Sequence, residues 1–309
     1  QSATFSIDGM REQPFKRSPA PPFTTSTLQQ EANRKLRFPA RRTMRAAQRL
    51  YENGFITYMR TDSVTLSSDA LEQTRASIAS TYGREFLPDE PRSYRNKVKN
   101  AQEAHEAIRP AGSRLVPVEE VRAALSEDEA RLYDMIWKRT MASQMLDAKG
   151  RRMTVHVAAS GPRQARFVSH GSVIDFPGFL RAYVEGRTDR QEALADLDRI
   201  LPPMSIGEEV LAALSTEDHH TTPPRRLTEA GLVKALEESG IGRPSTYASI
   251  IDTIERREYT FRKGNALVPT FTAFAVVRLM QEHLEHLIDI DFTARMEDGL
   301  DTISRGEAD

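Results

Sequence analysis

The sequence predicts a mixed α+β chain, mainly helical, in which winged-helix-like (helix-turn-helix) domains are joined by a β-rich arch. Three observations carry this reading. Two amphipathic helical patterns, over 26–36 and 40–53, lead directly into a short apolar β-like run. Apolar and polar residues alternate over 152–158 and 164–169 around a Gly161-Pro162 turn, the pattern of paired strands. Helical patterns then return over 228–239, 242–257 and 270–286, with a hairpin signal at Lys263-Gly264-Asn265. The expected domains are 1–17 plus 145–215 (β-rich), 18–144 (winged-helix-like) and 216–309 (helical, partial).

Taken in order, residues 1–17 are polar and interrupted by proline, and 3–7 reads as one strand. Prolines 19, 21 and 22 mark a boundary, because proline continues neither a helix nor a central strand. Ser26 and Gln29 have capping-box spacing, and Leu28, Ala32 and Leu36 share a stripe. In the second helix Met44, Ala47, Leu50 and Tyr51 face inward and the arginines outward, and Gly54 supplies the left-handed stop. A third helix is expected over 66–82, capped by Ser67 or Ser68, with Leu71, Ile78 and Ala79 inward, and then a polar loop over 83–100. Ser126 and Glu129 cap a helix to about residue 146 that buries Leu132, Ile136 and Met145 and packs Trp137. After the paired strands come a helical piece at 179–184, an acidic stretch (Asp189, Glu192, Asp196, Asp198) and a strand near 208–213. In the last part Leu232, Val233 and Leu236 pack, Gly240 closes their helix, and Pro244 opens the next.

Composition narrows the class. A chain of 309 residues is long enough for two or three domains. No run of eighteen apolar residues occurs, so no membrane partner is expected. Cysteine is absent, which excludes disulfides, a thiol nucleophile and Cys-ligated zinc, and is compatible with the cytoplasm. The start at Gln1 and the end at Arg-Gly-Glu-Ala-Asp suggest an internal piece of a longer protein. The net charge of -1 hides an uneven distribution: between Lys16 and Arg60 there are ten Lys or Arg against two acids. That is the electrostatic footprint a phosphate backbone needs, although a solvated helix face has the same composition.

The chemistry concentrates in three places. In the decamer Gly-Phe-Ile-Thr-Tyr-Met-Arg-Thr-Asp-Ser (54–63), an apolar run ends on Tyr58, and Arg60 follows two residues later. A phenol keeps its proton to about pH 10. A nearby guanidinium favours the phenolate and grips a phosphate oxygen with its planar fork. In an extended segment i and i+2 share a face, so Tyr58 and Arg60 would address one ligand. In the second place, Ala-Gln-Glu-Ala-His-Glu-Ala-Ile-Arg-Pro (101–110), His105 ionises near neutrality and suits a phosphate or a phenol, with Glu103 and Glu106 as supports for His105 and Arg109. In the third, Gly242-Arg-Pro-Ser-Thr-Tyr247, a helix start offers free N–H groups to an anion, with Arg243, Ser245 and Thr246 as side-chain donors. Metal patterns are incomplete. His283 and His286 lack a third ligand, and neither Asp289-x-Asp291 nor Asp196-x-Asp198 is followed by a glutamate at the next alternate position.

These three motifs, in this order, resemble type IA DNA topoisomerases, and Met59 fits the bacterial topoisomerase I branch. The resemblance spans nearly the whole chain and implies a type IA topoisomerase core. It implies Tyr58 and Arg60 as catalytic residues, with His105, Arg109, Arg243, Ser245 and Thr246 on DNA, and the β-rich domain as the hinge of a gate. The implied reaction is transient cleavage of one strand through a 5′-phosphotyrosine, strand passage and resealing, without ATP. The family's Mg²⁺ belongs to an N-terminal metal-binding (Toprim) domain with an Asp-x-Asp-x-Glu triad and a lysine, none of which occurs here. No metal residue is therefore expected in this piece, which should be inactive alone, with DNA and the missing domain as partners. The setting implied is the bacterial cytoplasm, on the nucleoid. Two other classes stand beside it. A winged-helix regulator would explain the helices and arginines but not Tyr-Met-Arg. A replication-initiator nuclease also uses tyrosine, but needs a His-hydrophobe-His metal motif that this chain lacks.

Overall fold

The computed structural model describes residues 3–95, 106–161, 164–183, 204–211 and 215–307 and has a mixed α+β fold. Its contacts form two compact units, Gln1–Pro19 with Leu146–Arg181 and Asp189–Pro224, and Ala20–Met145 with Ala182–Thr188 and Arg225–Asp309.

The first unit is an antiparallel sheet of β1 (Thr4–Arg17), β2 (Ala148–Ser160), β3 (Ala165–Phe176) and β4 (Glu209–Val210), in the order β3-β2-β1-β4. Met153, Val155 and Ala159 are buried at alternate positions of β2, the two-residue period of a sheet with one covered face. On the strand-to-strand level Arg151 bonds both Glu12 and Asp175. The strands run further than their apolar alternation indicated. β1 passes through Pro14 because β4 meets it only at Phe5 and Ser6, so Pro14 sits where just one neighbour needs the ladder. The helical piece expected at 179–184 is a single 3₁₀ turn, Gly178–Arg181. The acidic stretch with Asp196-x-Asp198 lies outside the described residues.

The second unit contains α1 (Thr25–Glu31), α2 (Ala40–Glu52), α3 (Ser68–Thr81), α4 (Val118–Val121) and α5 (Glu127–Ser143). It continues with α6 (Glu229–Glu238), α7 (Tyr247–Arg256), the hairpin β5 (Thr260–Lys263) and β6 (Ala266–Pro269), α8 (Phe271–His283), α9 (Glu285–Ile288) and α10 (Ile290–Ser304). The core beneath the first five helices includes Leu28, Leu50, Ile56, Ile78, Ile108, Leu132 and Ile136. Ser126 and Glu129 close their capping box as expected. The cap of α1 is different: Thr24 and Thr27 form the box, because the Ser26 hydroxyl is drawn to Glu237 on α6. After Glu31 the helix widens into a π turn, Ala32–Leu36.

Polar contacts seat α6 and α7 against α1 and α2. The Glu229 carboxylate, almost fully buried, accepts the Ala40 N–H at 2.6 Å and pairs with Arg262, so a negative charge meets the positive end of α2. Ala40, Val233, Tyr247 and Ile251 form a small apolar cluster beside it. The helix expected over 270–286 breaks at Leu284, which puts His283 and His286 in separate elements. Asp289 caps α10 by accepting the Asp291 and Phe292 N–H groups. Among the described residues no helix is long and apolar enough to cross a membrane.

Candidate active site

The second helix ends in a Schellman turn. Gly54 takes φ 74°, its N–H bonds the Tyr51 carbonyl at 2.9 Å, and the Phe55 N–H reaches back to Leu50 at 2.8 Å. This turn aims residues 55–63 across the core. The segment is a loop held by single bridges rather than the β-run expected from its apolar residues, because its partners change within a few residues. Ile56 pairs with Pro110, and the Thr57 N–H donates to the Arg109 carbonyl at 2.9 Å while the Thr57 hydroxyl bonds the Ala107 carbonyl at 2.7 Å. On the far side the Thr25 hydroxyl donates to the Met59 carbonyl at 2.7 Å and accepts from the Thr61 N–H at 2.9 Å. The loop is thus pinned at Thr57 and Thr61, with Met59 between them only 2% exposed.

Tyr58 and Arg60 flank that anchor and are both exposed, so the two side chains proposed to act together stand on the open side of a braced loop. The Tyr58 ring leans edge-on against Tyr51, centroids 5.2 Å apart. Tyr51 was expected to face inward with Leu50. It lies at the last turn of α2, past the end of the core, and is 42% exposed. Tyr133 and Tyr247 are unsuited to nucleophilic work, since burial pushes their phenols up to about 12. Arg60 makes no hydrogen bond or ion pair among the described residues.

The 101–110 motif supplies the buttress. His105 lies outside the described residues. Arg109 gives its Nε and Nη2 to Glu106 at 2.8 and 2.9 Å and its Nη1 to the Pro110 carbonyl at 2.7 Å, which fixes the turn that carries the Thr57 contacts. Glu106 also accepts the Ser67 N–H at the start of α3. Burial alone would raise the Glu106 carboxyl, but the bonds from Arg109 and Ser67 outweigh it and hold the group below its ordinary value. A depressed carboxylate pKa means stability that is present at neutral pH and lost as pH falls through the folded value. Glu106→Gln should therefore lower unfolding free energy by roughly 1–2 kcal/mol at neutral pH. Urea titrations should find that difference smaller near about pH 3.5, below the ordinary glutamate value of about 4.3.

At the third motif the Arg243 guanidinium is occupied by Asp301 (2.7 Å to Oδ2) and by the Gly242 carbonyl at 2.7 Å. The Thr246 hydroxyl accepts the Arg243 N–H at 2.8 Å and so shapes the turn into α7. Ser245 is exposed and, with Pro244 and Ser249, lines a pocket of ≈ 240 Å³ that also contains Arg60 and Arg41. Two motifs 180 residues apart in sequence thereby meet at one opening. The basic face of α2 is partly neutralised from within: Arg42 forks onto Asp128 at 2.7 Å, Arg49 reaches Glu129 at 3.5 Å and Arg41 meets Asp252 at 2.9 Å. The Arg42–Asp128 and Arg41–Asp252 pairs are open to solvent and worth about 0–1 kcal/mol each, weak enough to exchange for a phosphate, whereas Glu129 is buried. Thr25 and Tyr51 belong to this neighbourhood and were not assigned to a site from the sequence, and Arg41 was counted there only as part of the basic run. The doubled Thr24-Thr25 before a helix was the only local sign for the first.

Among the described residues no group of three or more His, Asp or Glu is placed to hold a metal ion. Asp289 is engaged as a helix cap and by Arg295, which is no posture for a ligand.

An exposed phenol and an exposed guanidinium stand two residues apart on a braced loop, and the guanidinium shares a pocket with a helix start. These residue types suit covalent chemistry on a phosphate ester. The DNA topoisomerase family model matches residues 1–309, and the chain belongs to that family. It is 55% identical over 312 residues to DNA topoisomerase 1 of Streptomyces coelicolor, covering 100% of this chain and 32% of that protein. It is 53% identical over 310 residues to DNA topoisomerase 1 of Synechococcus elongatus, covering 100% of this chain and 34% of that protein. The solved structure of full-length topoisomerase I from Thermotoga maritima superposes with a TM-score of 0.80 at 33% identity, over 99% of this chain and 49% of that one. The chain spans about a third of the length of these curated relatives.

Proposed function

We propose that this chain is the nucleophile-bearing part of a longer type IA DNA topoisomerase, which opens one DNA strand, passes another through the gap and reseals the first. The observation that carries the reading is the loop at Met59, which holds Tyr58 and Arg60 exposed, two residues apart, on a backbone pinned at both ends. The Tyr58 Oη attacks a backbone phosphorus of single-stranded DNA. An O–P bond forms, the P–O3′ bond breaks, and the strand's 5′ end is held as a phosphotyrosine. The freed 3′-hydroxyl later attacks the same phosphorus and restores the strand. One phosphoester replaces another of similar energy, so ATP is not consumed. Arg60 bonds the non-bridging oxygens as charge builds on the five-coordinate phosphorus.

In this reading His105 and Arg109 lie along the strand near the cleaved phosphate, and Arg243, Ser245 and Thr246 hold it at the start of α7. Helices α6 and α7 with the β5–β6 hairpin act as a winged helix within the DNA-binding part 216–309. Residues 18–144 carry the tyrosine, and 1–17 with 145–215 serve as the hinge of the gate. The Mg²⁺ that the family resemblance implies does not fit the described residues, which offer no ligand cluster. We assign it to a metal-binding domain elsewhere in the longer enzyme, working in the cytoplasm on the nucleoid.

The test is a denaturing gel of the full-length enzyme mixed with labelled single-stranded DNA. Label that stays on protein after boiling in detergent supports the reading, whereas a winged-helix regulator leaves none. This chain alone should bind single-stranded DNA with affinity that falls linearly with salt on logarithmic axes, with a slope of about -0.7 per phosphate contact. Fluorescence anisotropy at several salt concentrations measures it. A flat response, or preference for duplex, would favour the regulator.

A further inference from the structure

We propose that Arg41 is a second phosphate-binding residue of the strand path, held in reserve by Asp252 until DNA takes the carboxylate's place. The inference rests on the topoisomerase reading of Tyr58 and Arg60 and adds a residue that no motif of the sequence marks. Arg41 stands in the first turn of α2, and its Nη1 lies 2.9 Å from Asp252 Oδ1 on α7. The same pocket of ≈ 240 Å³ that holds Arg60 is lined by Arg41, Ser245, Ser249 and Asp252. It therefore offers two guanidinium groups and the Ser245 hydroxyl to an anion, the Ser249 hydroxyl being given to the Thr246 carbonyl at 2.8 Å, and a single carboxylate stands among them.

That carboxylate is a poor permanent partner. The Arg41 side chain is 67% exposed and that of Asp252 32%, and an ion pair so open to water contributes about 0–1 kcal/mol. Asp252 is also shared with Arg256, 3.9 Å away on its own helix, and so keeps a cation when Arg41 departs. A phosphodiester shares its charge over two non-bridging oxygens and can engage both arms of the guanidinium fork, whereas Asp252 gives Arg41 a single oxygen. Strand entry would thus swap one anion for another at Arg41. Arg60 would take the phosphate under attack, and Arg41 one of its neighbours along the strand.

The test uses this full chain, a labelled single-stranded oligonucleotide and anisotropy at several salt concentrations. Arg41→Ala should weaken binding about tenfold, the value of one charge-assisted contact, and make the salt slope shallower by about 0.7. Asp252→Asn should act in the opposite direction and tighten binding, because it removes the competitor. In the Arg41→Ala background Asp252→Asn should lose most of that gain. Thermal melts of the variants, expected within a few degrees of the parent, separate these effects from unfolding. If Asp252→Asn weakened binding, or tightened it equally without Arg41, the pair would be a structural tie and the proposal would fall. If Arg41→Ala changed nothing while Arg60→Ala still weakened binding, this proposal would fail and the reading of Tyr58 and Arg60 would stand. Failure of the parent chain to bind single-stranded DNA would instead overturn the functional reading itself.

Discussion

Tyr58→Phe in the full-length enzyme should abolish the covalent protein–DNA adduct while leaving single-stranded DNA binding within about twofold of the parent. The substitution deletes one hydroxyl and keeps the ring. The ring's edge-on contact with Tyr51 at 5.2 Å is available to phenylalanine, and bonds at Thr57 and Thr61 fix the backbone on either side. Loss of the nucleophile removes the step itself, so the adduct should vanish rather than decline. Tyr133 and Tyr247 cannot take over, since both are buried and burial raises their phenols to about 12, and Tyr51→Phe alongside checks the exposed neighbour. A detergent-resistant band from the phenylalanine variant would remove Tyr58 from its role.

Arg60→Lys should lower cleavage by a hundredfold or more, about the loss seen when one transition-state donor is removed from other enzymes. Charge is preserved, but the planar fork that grips two phosphate oxygens is not, and an ammonium on a flexible stem directs its bonds less strictly. Folding should be unaffected. Arg60 is exposed and makes no hydrogen bond or ion pair among the described residues, so the native state loses no contact. Single-turnover cleavage of a labelled strand, with a urea denaturation curve alongside, measures both halves of this expectation. Near-parental cleavage would reduce Arg60 to a surface cation.

The features legible in the sequence were those written locally. Gly54 ends α2 in the left-handed conformation that its place after an amphipathic stripe required, and Ser126 with Glu129 closes a capping box three residues wide. The Tyr58–Arg60 pair is proposed on residue type and spacing, to which the structure adds that both side chains are exposed. What was misread depends on partners distant in the chain. Ser26 had a cap's composition and spacing, but Glu237, 211 residues away, takes its hydroxyl. The Arg243 guanidinium, a proposed DNA contact, also carries Asp301, 58 residues later, a partner that no local pattern shows. Strand lengths in β1 to β3 were underestimated because ladder pairing, unlike burial, leaves no alternation at exposed ends. The helix break at Leu284 and the whole of α10 carried no strong local signal, and α10 has no buried residue to impose one.

The claim that the Tyr58 Oη is the atom that joins DNA is tested most directly by locating the adduct. The full-length enzyme is mixed with single-stranded DNA, denatured, and digested with nuclease and protease, and the peptides are weighed and fragmented. The predicted result is a nucleotide attached through its 5′-phosphate to the peptide bearing Tyr58, with the added mass on that side chain. A nucleotide on any other residue, or strand cleavage with no nucleotide on the protein, would contradict it.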